Sequence, residues 1–276
     1  MVADAFPLSG ATRIVPILAY PVGHVRAPRV YNPAFAAEGL DWHMVPMGVH
    51  PDDLSSTVAQ LARVTNLQGL NLTIPHKAAA AKLCTRLTPA ARRSGMVNTM
   101  RLEADGKWAG ENSDGVGFVA AARAHGLLRT DKPVAIVGAG GAGTAIALSL
   151  ADAGVRTIDV FDTDADRTAH VLSLLRDHFP DVDAASRPQG LRSAGLAVNA
   201  TPLGLHAGDP LPFDPMQLAD DACVFDIIAA RDTELMAACT ARGLRVLGGR
   251  AMIEGQLVTQ IAFWRGAPHN DPETAK

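Results

Sequence analysis

The chain has 276 residues, a length that corresponds to about two domains, and 48% of the residues are hydrophobic against 19% charged. Its net charge is −3, from 25 Lys and Arg against 28 Asp and Glu, without a block of like charge, which argues against a nucleic-acid or membrane partner. The cysteines Cys84, Cys223 and Cys239 form no paired or metal-ligand motif, and no export signal opens the chain. We therefore expect a cytoplasmic protein with buried thiols and no bound metal.

Apolar runs of strand length alternate with segments of helical period, and this alternation predicts an α/β fold with largely parallel sheets. A first block is predicted to contain, in chain order, strand 14–19, helix 28–38, strand 42–47, helix 51–63, strand 69–72, helices from His76 and near Ala90, and extended segments 97–102 and 107–109. A helix over 113–125 then connects this block to a second one.

The second block has the pattern of a mononucleotide-binding half. It is predicted to contain strand 133–137, a glycine-rich turn, a helix to 153, strand 157–161, a helix to 178, strands 196–199 and 224–228, and a final helix 250–264. We expect domains over 1–110 and 111–247, with a segment 248–276 that packs back on the first domain. Residues 268–276 have no apolar periodicity and are expected to form a frayed tail.

A glycine motif, G-x-G-x-x-G, joins the predicted strand 133–137 to the following helix. Gly138 suits the tight turn, Gly140 suits close approach of the backbone to a pyrophosphate, and Gly143 suits close packing of helix on strand, while Gly141 lies within the same turn. The alternative is that these glycines serve the turn alone. Because strand, turn, helix and second strand follow in order, the motif predicts a dinucleotide-binding site.

Asp162 lies nineteen residues beyond Gly143, at the end of the next strand. A carboxylate at this position accepts hydrogen bonds from the adenosine ribose hydroxyls and repels a 2′-phosphate, so we expect NAD to be preferred. Two alternatives remain open. Asp162 could serve only as the cap of the following helix, and Arg167, one turn into that helix, could reach a phosphate and allow NADP.

A lysine and an aspartate in the first block suggest acid–base chemistry. Lys77 follows a predicted strand, and Asp114 lies at the start of the helix over 113–125. Hydride transfer between an alcohol and a nicotinamide needs a proton relay, which such a pair provides. The plain alternatives are a solvated surface lysine and a helix-capping aspartate.

Six motifs in order make the chain resemble the shikimate dehydrogenase family, including its quinate-using members. The motifs lie at residues 71–77, 95–99, 112–117, 138–143, 199–204 and 248–252, the last followed by Gln256. The resemblance implies an NAD(P)-dependent dehydrogenase that interconverts a ring hydroxyl and a ketone of a cyclic hydroxy acid, bound in a cleft between a substrate domain and a Rossmann domain. A homodimer is consistent with it.

The resemblance also implies roles for single residues. Lys77 and Asp114 fall on the family's catalytic pair. The substrate side is expected to include Asn71, Thr73, Asn98 and Gln256. The cofactor side is expected to include Asn199, Thr201, Gly249 and Met252 in addition to the glycine turn and Asp162.

The chain departs from the family pattern where the substrate carboxylate is expected. Val25 and Ala27 replace two serines, and either Arg26 or Arg29 could take over the carboxylate, the alternative being that both arginines are surface residues. A tyrosine of the late strand is replaced by Ala229, and the arginine of NADP-binding members is missing after residue 162. Two other functions therefore stay open, namely a related dehydrogenase with a different substrate and a non-catalytic protein that binds NAD or a metabolite.

Overall fold

The computed structural model describes residues 8–266, which form two compact α/β units, and it confirms the predicted fold class. The first unit contains residues 8–113 and 257–266, and the second contains 114–256, whereas the sequence analysis divides the chain after 110 and after 247. The predicted tail over 268–276 lies outside the described residues. Within 8–266, no helix is long and apolar enough to cross a membrane, and no group of three His, Cys, Asp or Glu side chains is arranged to hold a metal.

The first unit is built on a six-stranded mixed sheet with the order β2-β1-β3-β5-β6-β4. Its strands are β1 Arg13–Ala19, β2 Trp42–Gly48, β3 Leu70–Leu72, β4 Arg86–Leu87, β5 Thr99–Leu102 and β6 Trp108–Glu111. Its helices are α1 Pro28–Ala37, α2 Leu54–Leu61, α3 Lys77–Leu83 and α4 Pro89–Ser94. Strand β3 is buried along its whole length because β1 pairs with it in parallel and β5 pairs with it in antiparallel. The residues that end β3 therefore lie at the centre of the unit.

The second unit is built on a six-stranded, fully parallel sheet with the order β12-β11-β10-β7-β8-β9. Its strands are β7 Val134–Val137, β8 Thr157–Phe161, β9 Asp183–Ala185, β10 Leu196–Asn199, β11 Cys223–Asp226 and β12 Arg245–Gly248. Its helices are α5 Asp114–Ala124, α6 Gly141–Asp152, α7 Ala165–His178, α8 Gly190–Ser193, α9 Glu234–Ala241 and the start of α10 Gly249–Arg265. From β7 the sheet continues through β8 on one side and β10 on the other. Such a reversal of strand order is the usual ligand-binding point of an open α/β sheet.

Several short elements were missed by the sequence analysis. Strands β4, β9 and β12 have only two to four residues, lie at or next to sheet edges and are partly exposed, so they lack the buried apolar run that predicts a strand. Helix α9 buries only Leu235 and Cys239, too few apolar positions for a clear helical period. The helix predicted over 51–63 is instead a 3-10 turn, Pro51–Asp53, followed by α2, which ends at Leu61.

The three cysteines are free thiols. Cys223 and Cys239 are buried as expected, whereas Cys84 is only half-buried. Burial raises the pKa of Cys84 to about 12 and that of Cys239 to about 11. Both side chains are therefore protonated at neutral pH and are poor nucleophiles.

Candidate active site

The expected substrate residues of the first unit lie around the end of β3. Asn71, in β3, is 6% exposed, and its Nδ2 donates to Gln260 Oε1 at 2.8 Å. Thr73 follows the strand, is half-buried and donates its backbone N–H to Leu18 O at 3.0 Å. Parallel pairing with β1 and antiparallel pairing with β5 fix the register of Asn71. The central strand therefore fixes where this amide lies.

Lys77 is the first residue of α3 and lies beside the segment that carries Asn98. The N–H of Val97 donates to the carbonyl of Lys77 at 3.0 Å, and the N–H of Leu72 donates to the carbonyl of Asn98 at 2.8 Å. The lysine is half-buried, whereas Lys82 of the same helix is exposed. Its environment therefore differs from that of a fully solvated surface lysine.

Asn98 is held rigidly by its neighbours. It is 2% exposed, and its Oδ1 accepts from the backbone N–H of Ser113 at 3.0 Å and from Thr99 Oγ1 at 2.8 Å. Its Nδ2 donates to Ser113 Oγ at 3.1 Å. Because a backbone N–H can only donate, the contact with Ser113 also determines which amide atom is the oxygen.

In the loop expected to bind the substrate carboxylate, the Arg26 side chain hydrogen-bonds to backbone carbonyls of the same loop. Arg26 Nη1 donates to the carbonyls of Gly23 and Val25, at 2.8 and 3.1 Å. Arg29 is exposed at the start of α1, while Val25 and Ala27 are half-buried. Part of the Arg26 guanidinium is therefore engaged in holding the loop.

Asp114 is buried at the start of α5 in the second unit. It is 4% exposed, and Gln256 Nε2 lies 3.4 Å from its Oδ1, a long hydrogen bond. Gly117, one turn further along α5, makes this approach possible, because a Cβ there would overlap Gln256 Cγ. Asp114, the predicted catalytic carboxylate, and Gln256, whose amide is predicted to bind the substrate, are therefore neighbours.

The glycine turn between β7 and α6 has the geometry that a pyrophosphate requires. Gly138 has φ +108°, and a Cβ on Gly143 would overlap the carbonyl oxygen of Gly138, so helix and strand approach closely. A Cβ on Gly140 would meet nothing within 4 Å. Gly140 is also the N-cap of α6, which begins at Gly141, and it offers no side-chain acceptor to the N–H groups of the first turn. Those N–H groups and the open space fit a bound phosphate.

Asp162 holds the glycine turn instead of capping α7. Its Oδ2 accepts from the N–H of Ala139 at 2.7 Å and its Oδ1 from the N–H of Asp164 at 2.9 Å. The helix is capped by Asp164, whose Oδ1 accepts from the N–H groups of Asp166 and Arg167. The capping interpretation of Asp162 is therefore wrong.

The charge around Asp162 is negative. Burial alone raises the pKa of its carboxyl, but the N–H donors of Asp164 and Ala139, with help from Arg167, outweigh burial and lower the pKa below its ordinary value. Asp162 is therefore an anion at neutral pH. Arg167 Nε lies 3.2 Å from Asp164 Oδ2, so its guanidinium is paired with a carboxylate.

Asn199 and Thr201 form a closed network at the end of β10. The Oδ1 of the fully buried Asn199 accepts from Thr201 N at 3.0 Å and Thr201 Oγ1 at 2.7 Å, and its Nδ2 donates to Leu203 O and Asp226 Oδ1. Asp226, which the sequence analysis did not select, also accepts from Thr233 Oγ1 at 2.6 Å. Burial raises the pKa of Asp226, against the opposing effect of these hydrogen bonds. Asn199 therefore shapes the loop after β10.

Gly249 and Met252 lie on the first turn of α10. A Cβ on Gly249 would overlap the carbonyl oxygen of Ile227, so this helix starts in close contact with the segment after β11. Met252 is 6% exposed and belongs to the hydrophobic core of the second unit. Its position on the helix is thus fixed by packing.

Known proteins are similar to this chain in sequence and in architecture. A family model described as the shikimate dehydrogenase substrate binding domain matches residues 17–100. The shikimate dehydrogenase (NADP(+)) of Acidiphilium cryptum is 38% identical over 94% of this chain and 92% of its own length.

Two solved structures are similar over almost the whole chain. Shikimate 5-dehydrogenase from Thermus thermophilus, in complex with NADP(H) and shikimate, has a TM-score of 0.82 and 29% identity over 95% of this chain and 96% of that chain. The enzyme from Listeria monocytogenes, in complex with shikimate and NAD, has a TM-score of 0.83 and 27% identity over 95% and 94% of the two chains.

The chain combines an α/β unit whose glycine turn fits a phosphate with a second α/β unit rich in buried amides. Together with its relatives, this makes it an NAD(P)-dependent oxidoreductase that acts on a CH–OH group. The resemblance found in the sequence is confirmed by the relatives. The chain belongs to the shikimate dehydrogenase family. The relatives' names specify NADP(+), so they support an NAD(P) cofactor and do not support the expected preference for NAD.

Proposed function

We propose that this protein interconverts a ring hydroxyl and a ketone of shikimate or a similar cyclic hydroxy acid, with Lys77 and Asp114 as its proton relay. The observation that carries this proposal is the burial of Asp114 against Gln256 at the start of α5. Aspartate is rarely buried to 4% exposure without polar partners, and a carboxylate kept out of water beside an amide is a candidate for contact with a polar substrate. Membership in the family supports the same substrate class.

The residues have distinct tasks in this reaction. A nicotinamide cofactor, when bound, would supply the hydride chemistry at the carbinol carbon. In reduction of the ketone, the Lys77 ammonium donates a proton to the new alkoxide oxygen, and in oxidation the uncharged amine takes that proton back. Asp114 accepts the hydrogen bond of a ring hydroxyl. Asn71, Asn98 and Gln256 supply amide groups that orient the other hydroxyls.

The direct test is turnover. The purified protein is mixed with shikimate, quinate and uncharged cyclic polyols, each with NAD and with NADP, and formation of reduced nicotinamide is followed by its absorbance. Turnover of a cyclic hydroxy acid supports the proposal. Turnover of only an uncharged polyol would assign a different substrate, and cofactor binding without turnover would favour a non-catalytic binding protein.

The expectations of a homodimer and of a cytoplasmic location stay predictions.

We further propose NAD as the better cofactor of this particular chain. The support is local, since Asp162 is an anion beside the glycine turn and Arg167 is already paired with Asp164. A 2′-phosphate would meet two carboxylates and no unengaged guanidinium in this segment. The relatives' NADP(+) names point the other way, so the comparison must be measured.

Asp162→Asn is expected to reduce the NAD-over-NADP ratio of kcat/KM by about tenfold, because it removes the charge that repels the 2′-phosphate. Steady-state kinetics with both cofactors measure this ratio. Asp166→Asn is the matched control, since Asp166 is an exposed acid in the first turn of α7. If the wild-type protein has a kcat/KM for NADP at least as high as that for NAD, the proposed preference for NAD is wrong.

Val25→Ser combined with Ala27→Ser is expected to raise kcat/KM for shikimate by at least about tenfold, because a hydrogen bond to a carboxylate contributes about 1.5–3 kcal/mol. The gain should appear as a lower KM. Activity on an uncharged ring analogue should stay unchanged. The control is Val258→Ser with Ala37→Ser, at two exposed helix positions. If both double variants leave the KM for shikimate unchanged, the carboxylate does not bind at this loop.

A further inference from the structure

A buried polar cluster in the first unit joins five residues from segments that are far apart in the chain. We call it the Gln260 cluster, and it consists of Tyr31, Asn71, Asn98, Ser113 and Gln260. The side chain of Gln260 is fully buried, and Tyr31 is 1% exposed. Neither residue belongs to the motifs that carry the family resemblance.

Gln260 is the centre of this cluster. Its Oε1 accepts from Tyr31 Oη and from Asn71 Nδ2, both at 2.8 Å. Its Nε2 donates to Ser113 Oγ at 2.6 Å, and Ser113 in turn contacts the amide of Asn98. One amide thus connects both asparagines to which we assign substrate contacts.

The cluster is embedded in a rigid apolar surrounding. Tyr31 packs edge-on against Trp264, with ring centroids 6.0 Å apart, and Trp264 is itself fully buried. The carbonyl of Trp264 accepts from Gln68 Nε2, so a side chain just before β3 also contacts the helix that carries Gln260. Gln260 therefore has little freedom to move, and it restrains the amide of Asn71 directly and that of Asn98 through Ser113.

We propose that Gln260, held by Tyr31, is a positioning residue that presets the orientation of Asn71 and, through Ser113, of Asn98 for substrate binding. This inference rests on the proposed function, because it assumes that both asparagines contact the substrate. Because Nδ2 of Asn71 already donates to Gln260, the side-chain carbonyl oxygen of Asn71 is the atom that accepts a hydrogen bond from a substrate hydroxyl. Gln260 thereby selects which amide atom a ligand meets, and its effect is on recognition rather than on proton transfer.

Gln260→Leu tests this role, because leucine has nearly the same volume and makes no hydrogen bond. The expected result is a rise in KM for the cyclic hydroxy acid of about tenfold or more, with kcat changed by less than about threefold. The dissociation constant of the nicotinamide cofactor should stay at its wild-type value. Steady-state kinetics, calorimetric binding of substrate and cofactor, and thermal unfolding are measured on the same preparations.

Tyr31→Phe is the matched variant, since it removes the hydroxyl that donates to Gln260 and retains the residues Asn71 and Ser113 that Gln260 also contacts. It should lower the melting temperature but raise KM by less than about threefold. A purely structural role predicts lower melting temperatures with unchanged KM in both variants, and this outcome would overturn the inference while leaving the proposed function intact. A wild-type protein that neither binds nor turns over any cyclic hydroxy acid would overturn both.

Discussion

Replacing Lys77 with methionine is expected to lower kcat by a factor of about 10² to 10⁴, the usual contribution of a positioned general acid or base. Methionine keeps most of the length of the side chain and removes the ammonium, so the reacting oxygen loses its proton donor. Substrate affinity should change much less than kcat. The measurement is steady-state turnover in both directions, with cofactor binding followed in parallel.

Lys82→Met is the matched control, because Lys82 lies on the same helix and is exposed. It should keep wild-type kcat. If Lys77→Met also turns over at the wild-type rate, Lys77 has no part in proton transfer, and the proposed chemistry has to be assigned to other groups.

The second large effect is expected at Asp114. Asp114→Asn keeps the shape of the buried side chain next to Gln256 but removes its charge, and kcat/KM should fall by about 10²-fold or more. Part of this loss should appear in KM, because the carboxylate also accepts a substrate hydroxyl. Melting temperature and kinetics together separate a chemical effect from a loss of folded protein.

Asp177→Asn serves as the control for the loss of one acid from the second unit, since Asp177 is exposed near the end of α7. Its kinetics should match the wild type. A variant Asp114→Asn with unchanged kcat/KM would rule out Asp114 as a member of the relay.

The cofactor-binding half of the fold could be predicted closely because its signals are local. The buried apolar runs of β8 and β10 are bounded by turn residues, and the structure places these strands at Thr157–Phe161 and Leu196–Asn199, as predicted. The glycine turn is also largely a local signal, since Gly138 adopts φ +108° and a Cβ on Gly143 would overlap the carbonyl oxygen of Gly138, five residues earlier.

Contacts between distant segments could not be predicted in this way. Tyr31 and Gln260 are 229 residues apart, and nothing in either local pattern indicates that the two side chains meet. Asp162 illustrates the same limit over a shorter range, because the fold decides whether its carboxylate accepts from the glycine turn or from the helix that follows. Helical spacing does place Gln256 and Gln260 on one face of α10, and that was the available signal for the second glutamine.

This spacing restricts how α10 can change. Gln256 contacts Asp114 and Gln260 contacts Ser113, so two adjacent residues meet two amides that are separated by one helical turn. An insertion or deletion of a single residue between the two glutamines would rotate one amide by about 100° relative to the other. The helix can therefore accept substitutions along its exposed side, as at Val258, which is 80% exposed, but its length between positions 256 and 260 is fixed.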